Sequence, residues 1–185
     1  VAAHETLAVG MAHGYSMITG RPQMVMLHVS VGAANAVCAV MNAARSQIPM
    51  LFTAGRTPLF ESGKLGSRDG GIHWAQEMFD QAGMMRELIK WDYELRDGIN
   101  LENVVDRALG ISQAHPRGPV YLTLPREVLA QKITGFACAT APAAASAPYP
   151  DPGQVRELAR ALTAARFPVI ACSASGADPA TVPLL

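Results

Sequence analysis

A parallel α/β sheet with helices on both faces is the fold predicted for this 185-residue chain, and three observations carry it. Short apolar runs at residues 24–27, 50–54 and 120–124 have the length and near-continuous hydrophobicity of strands buried on both sides. Longer stretches at about 3–19, 33–45 and 101–114 alternate with them and carry helix start and stop signals. Half of the residues are hydrophobic and only 16% are charged, a composition suited to a sheet covered by helices.

The first helix carries an acid, Glu5, almost at its start, where the helix dipole favours negative charge. Gly20-Arg21-Pro22 ends it before the strand at 24–27. The loop at 27–35 is expected to hand that strand over to the helix at 33–45, the kind of joint where open α/β sheets place ligands. Gly32 lets a ligand approach the backbone there, and the open N–H groups of the next helix suit an anion. Cys38 reads as a core residue of that helix. After the strand at 50–54, the polar, glycine-rich loop at 55–71 is too long for a simple connection and points to function. A short helix at 76–83, a strand at 87–91 and a helix at 101–114 capped by Asn100 follow, with Pro119 opening the strand at 120–124.

Residues 135–152 shift to alanine, proline and serine, and Pro142, Pro148, Pro150 and Pro152 block regular structure, so they read as a linker. The organisation expected is a first domain at 1–134, the linker at 135–152, and at 153–185 a helix (154–165) and a strand (169–172) that begin a second domain.

The equal balance of 15 basic and 15 acidic residues offers no field for nucleic acid or an anionic membrane. Cys38, Cys138 and Cys172 lie far apart without metal-like spacing and read as reduced thiols of a cytoplasmic protein. No stretch approaches a membrane span. His4, His13 and His115 fit no metal site. Neither the dinucleotide fingerprint nor the phosphate loop occurs. His28-Val29-Ser30-Val31-Gly32 has the outline of a serine-hydrolase elbow with histidine in place of the first glycine; the bulky histidine argues against it, leaving a Ser30 hydrolase as a minor alternative.

Several spaced runs, taken in order, carry a resemblance. They are His4-Glu5 with Val9-Gly10-Met11-Ala12-His13-Gly14-Tyr15, Thr19-Gly20 and Pro22; Gly32-Ala33-Ala34-Asn35-Ala36; Ile48-Pro49-Met50; Thr53-Ala54-Gly55; Gln76-Glu77; and Pro116-Arg117-Gly118-Pro119-Val120 leading to Leu124-Pro125. Over about residues 1–134 the chain resembles the N-terminal pyrimidine domain of thiamine-diphosphate enzymes related to acetohydroxyacid synthase and benzoylformate decarboxylase. The remainder resembles the start of their central domain.

The resemblance implies that Glu5 hydrogen-bonds the pyrimidine ring of thiamine diphosphate and activates it. Such a proton-shuttling carboxyl is expected to have a pKa raised by desolvation. Leu27-His28 resembles benzoylformate decarboxylase rather than the synthases, which implies that His28 relays a proton at neutral pH. Gly32 and Asn35 are then cofactor-side, and His73 and Gln76 are substrate-side candidates. Arg56 departs from the glutamine that often follows Thr-Gly in the synthases.

The family binds diphosphate and magnesium through a Gly-Asp-Gly…Asn segment of a third domain, which these residues lack. Its members work as homodimers or homotetramers on 2-oxo acids or related carbonyl compounds. This chain is therefore expected to be a piece truncated on both sides and inactive alone. Decarboxylase, acetolactate-type synthase and acyl transferase stay open at this point, as do flavin binding and a non-catalytic oligomerisation module of the same fold.

Overall fold

The computed structural model describes residues 1–139, 146, 148–173 and 175–184, which fall into two compact units, Val1–Ala147 and Pro148–Leu185. In the first unit, helix α1 runs Glu5–Thr19. At its start the His4 ring accepts a hydrogen bond from the Thr6 N–H at 3.1 Å, satisfying one of the donors that a helix leaves open. At its end Gly20 adopts φ 68°, and its N–H donates to the Ser16 carbonyl at 2.8 Å. Strand β1, Gln23–Leu27, follows directly.

Only His28 separates β1 from helix α2, Val29–Arg45. The loop expected at 27–35 is thus one junction residue followed by two helical turns, and Gly32 and Asn35 lie within α2. The cause is Val29, which turns the chain at once by taking φ 46°. That region costs a non-glycine residue about 1–3 kcal/mol, and valine gives no sequence signal for it.

Strand β2 is Met50–Arg56, β3 is Asp92–Glu94 and β4 is Val120–Pro125; helix α4, Leu101–Gln113, precedes β4. The strands form one parallel sheet in the order β1-β2-β4-β3. Period-two alternation sends β2 side chains to opposite faces. Met50, Phe52 and Ala54 pack with Val25, Leu27 and Tyr121 under α1 and α2. Leu51, Val120 and Leu122 pack under α4 through Val104 and Ala108. On α2 the buried face is nearly all small, Ala33, Ala36, Ala39, Val40 and Ala43, which brings the helix close to the sheet. Cys38 is on the opposite, exposed side of that helix, contrary to its core reading, because the alanines occupy the sheet-facing stripe.

Between β2 and β4 the sequence reading needs correction. Residues 57–71 form no regular element, as expected, but the helix is Ile72–Ala75 (α3), followed by tight turns at Ala82–Met84 and Arg86–Leu88. The strand expected at 87–91 is displaced to β3. Long-range polar contacts override local pattern here: buried Gln81 donates both to the Tyr121 hydroxyl and to the Gly55 carbonyl at 2.9 Å. Asn100 makes no side-chain cap; Asp97 instead accepts from the Ile99 N–H.

A four-residue helix, α5 (Arg126–Leu129), follows β4 and anchors the long loop. The buried Glu127 carboxylate accepts from the Phe60 N–H at 2.9 Å. Gly66, at φ 91°, lies so near that an added Cβ would sit 3.1 Å from the Arg126 carbonyl oxygen and the Glu127 Cα.

In the second unit helix α6 spans Pro152–Ala164, with Asp151 accepting from the Gln154 N–H at 2.9 Å and proline in its first turn. Residues 169–172 form no strand, and the turns at Ser175–Ala177 and Pro179–Leu184 follow. The apolar run there has no sheet to join among the described residues of its unit. Of the expected linker, residues 140–145 and 147 lie outside the described residues.

Phe52 is fully buried on the central strand. Phe52→Ala is expected to destabilise the chain by about 3–5 kcal/mol in urea unfolding; a loss below about 1 kcal/mol would contradict the packing of β2 against α2.

Candidate functional site

The carboxyl edge of the sheet gathers the residues singled out by sequence. Here β1 ends at Leu27 next to His28, β2 at Arg56, and β4 at Pro125 next to Arg126. The start of α1 is tied to α2 beside this edge by hydrogen bonds to Asn35, whose Nδ2 also lies 3.3 Å from His4 Nε2. Asn35 Nδ2 donates to Glu5 Oε2 at 2.8 Å, and the Thr6 hydroxyl donates to the Asn35 carbonyl at 3.2 Å. Gly32 completes the group: a Cβ there would lie 3.3 Å from Glu5 Oε1 and 3.3 Å from His28 Cβ. Glu5, Gly32, Asn35 and His28 are therefore brought together.

The electrostatics of Glu5 differ from the expectation. The Asn35 amide holds its carboxyl below the ordinary value of 4.5, helped by its own backbone N–H, and these outweigh the upward push of desolvation. Glu5 is only partly covered, so the desolvated, raised state expected for a proton shuttle is not the state of this chain by itself. The His28 ring is exposed and makes no hydrogen bond among the described residues, which leaves both nitrogens available. Ser30, by contrast, is buried, and its hydroxyl donates to the Gln76 carbonyl at 2.7 Å. The strained residue of the turn is Val29 rather than Ser30. Ser30 is thus a support for the Gln76 segment rather than an exposed nucleophile.

His73 and Gln76 reach the same edge from the other side. A cavity of about 280 Å³ is lined there by His28, His73, Gln76, Arg56 and Arg126. Arg126 is the residue that the sequence reading missed, although its place just beyond a strand's carboxyl end is a usable signal. Its guanidinium grips Asp69 in a two-pronged pair at 2.9 and 3.1 Å and lies 3.2 Å from His73 Nε2. Arginine can only donate, so Nε2 is assigned as the acceptor. Nδ1 of the same ring lies 3.2 Å from the Asp69 backbone N–H and 3.4 Å from the Asp69 carboxylate. Arg126 holds the Asp69 carboxyl below its ordinary value. Arg68 braces the same loop, donating to Glu77 at 2.7 Å and lying over the Trp74 ring at 5.3 Å.

A larger cavity of about 500 Å³ between the long loop and α5 contains none of Glu5, His28, His73 or Gln76. Among the described residues no group of three or more His, Cys, Asp or Glu could hold a metal ion, and no helix is long and apolar enough to cross a membrane.

Comparison with known proteins shows what this chain is similar to. Residues 1–84 match the family described as thiamine pyrophosphate enzyme, N-terminal TPP binding domain. The chain is 30% identical to benzoylformate decarboxylase of Pseudomonas aeruginosa over 171 residues, 90% of this chain and 30% of that protein. It is 28% identical to the large subunit of acetolactate synthase isozyme 1 of Escherichia coli over 173 residues, 92% of this chain and 29% of that protein. The crystal structure of benzoylformate decarboxylase from Polynucleobacter necessarius superposes with a TM-score of 0.72 at 25% identity, covering 88% of this chain and 29% of that one. The chain thus spans about 30% of the length of these relatives.

Because Glu5 carries a depressed pKa, its contribution to stability is present above pH 4.5 and is lost as the pH falls through its folded value. In Asn35→Ala the Glu5 midpoint, followed by carbon NMR of the side-chain carboxyl, is expected to rise toward 4.5. An unmoved midpoint would remove Asn35 as the cause. With the sheet, the Glu5 group and the matched residues in agreement, residues 1–84 are similar to the N-terminal TPP-binding domain of thiamine pyrophosphate enzymes, and the chain shares the fold of such enzymes.

Proposed function

We propose that these residues form the cofactor-activating part of an enzyme that breaks or makes the carbon–carbon bond beside the carbonyl of a 2-oxo acid. The observation that carries this is the Glu5 carboxylate, fixed by Asn35 through one oxygen and facing the Cβ-free space of Gly32 with the other. That arrangement fits thiamine diphosphate: a carboxyl for the pyrimidine ring nitrogen and a glycine where a ring can come close. When bound, the cofactor supplies a nucleophilic thiazolium carbon and a sink for the electron pair released at the carbonyl carbon.

In this reading Glu5 Oε1 holds the proton that activates the ring. Asn35 orients the carboxyl, and cover by a second protein surface withdraws water and raises its pKa toward the range that proton transfer needs. His28, exposed and without a hydrogen-bond partner for its ring among the described residues, gives or takes a proton at the reacting carbon or oxygen. Gln76 and His73 form the substrate side of the cavity, with Ser30 fixing the Gln76 backbone.

The diphosphate and Mg²⁺ are held by a segment outside these residues, and the 185 residues alone do not turn over substrate. Association with a further protein surface is supported by the apolar stripe on α1, where Leu7, Met11 and Ile18 are exposed at helical spacing. A homodimer or homotetramer in the cytoplasm is the assembly proposed, and the second unit, with Val155 and Leu158 of α6 exposed, is the start of the central domain. The relatives named benzoylformate decarboxylase and acetolactate synthase support lyase or transferase chemistry. The bare His28 ring favours the former.

The test uses the natural gene product that carries these residues, loaded with thiamine diphosphate and magnesium. Glu5→Gln is expected to slow exchange of the thiazolium proton, read by NMR after acid quench, by about a hundredfold or more. His28→Ala is expected to lower kcat by a similar factor while cofactor affinity, followed by fluorescence, is kept. Unchanged exchange in the first variant would sink the assignment of Glu5, and unchanged kcat in the second would return His28 to a structural role.

A further inference from the structure

The cavity at the carboxyl edge has a charge pattern that neither cofactor activation nor proton relay explains. Its polar lining consists of two arginines, Arg56 and Arg126, two histidines, His28 and His73, Gln76 and the buried Thr57; no carboxylate lines it among the described residues. In a chain with 15 basic and 15 acidic residues that segregation is local. The remaining walls are apolar, chiefly Val29, Pro58, Ile72, Leu124 and Leu129, and such walls strengthen an ion pair formed against them.

Both arginines are held in place by acids that do not line the cavity. Arg56 donates to Glu94 through Nη1, and Arg126 is gripped by Asp69 while its Nη1 also reaches the Ser67 carbonyl. A guanidinium has five N–H donors, so each of these contacts leaves donors unspent. A side chain already fixed at its tip loses less freedom when it binds an anion.

The anion so bound cannot profitably be the carboxylate that reacts. In decarboxylation the bond from that carboxyl carbon to the carbonyl carbon breaks, the electron pair stays on the carbonyl carbon, and CO₂ leaves uncharged. An arginine pair on the departing carboxylate would stabilise the ground state more than the transition state and slow the step. The pair suits a negative charge that survives the reaction. We propose that this cavity binds a second, non-reacting acidic group on the substrate side chain, so that the preferred substrate is a dianionic 2-oxo acid. Arg56 and Arg126 are its specificity-determining residues. The identity of the reaction rests on the function proposed above; the anion preference rests on the cavity.

The two are separable. In the natural gene product loaded with thiamine diphosphate and magnesium, calorimetric titration compares glutarate with pentanoate, the same carbon chain with one acid fewer. Glutarate is expected to bind at least about tenfold more tightly, as an added charge-assisted pair allows. In Arg56→Gln and in Arg126→Gln that ratio is expected to fall toward one. The two residues stand on different elements, β2 and α5, so a folding defect in one variant leaves the other to decide. A ratio near one in the unaltered protein, or a ratio that survives in both variants, overturns the proposal. Turnover of 2-oxoglutarate is measured separately. Selective binding without turnover upholds the anion site and sinks the reaction, whereas turnover with unselective binding does the reverse.

Discussion

The handover from β1 to α2 through a single residue is the constraint on which the site depends. A turn that short is reached only because Val29 accepts a left-handed backbone, and the strain is repaid by what the turn positions. His28 is left at the strand's end, Gly32 comes against the Glu5 carboxylate, and Ser30 is buried deep enough to hold the Gln76 carbonyl. A longer, relaxed loop would separate these groups. The small side chains of α2 belong to the same solution, since a helix that starts at the sheet's edge must lie close along its face.

The sheet and the first half of the site were legible in the sequence because they follow from local pattern. Apolar runs gave β1, β2 and β4 to within two residues at either end, and the order of motifs led to Glu5 and His28. The segment from α3 to β3 was misread because its shape is set at a distance. Gln81 is drawn into the core by Tyr121 and Gly55, and the turns on either side of it have no periodicity of their own. Cys38 was misplaced for a related reason: hydrophobic type suggested burial, but the alanines of α2 had already claimed the face that meets the sheet. The charge state of Glu5 was also beyond the sequence, since it is decided by an amide thirty positions away.

Charge is arranged in two layers around the carboxyl edge. Acids that do not line the cavity, Asp69 and Glu94, fix the arginines that do, and the imidazole of His73 is held between the two members of one such pair. This explains why a chain with no net charge can still present a polarised concave surface. It also separates the two sides of the site. On the helix side an amide, Asn35, favours the ionised form of the Glu5 carboxyl, whereas the cavity lining opposite presents the arginines and no carboxylate among the described residues.

The docking of that loop on α5 has an evolutionary consequence. Gly66 pressed against Arg126 and Glu127, together with the Glu127 bond to Phe60, joins residues 57–71 and α5 into one piece, and β2 and β4 enter it side by side in register at Arg56 and Pro125. Such a piece is discontinuous in sequence, since residues 57–71 precede β4 and α5 follows it, so a change in the loop is felt at Arg126 while Glu5, His28 and the α2 junction are left untouched. Divergence within this fold can then proceed by altering one wall against a constant α1–α2 face, rather than by rebuilding the cavity residue by residue.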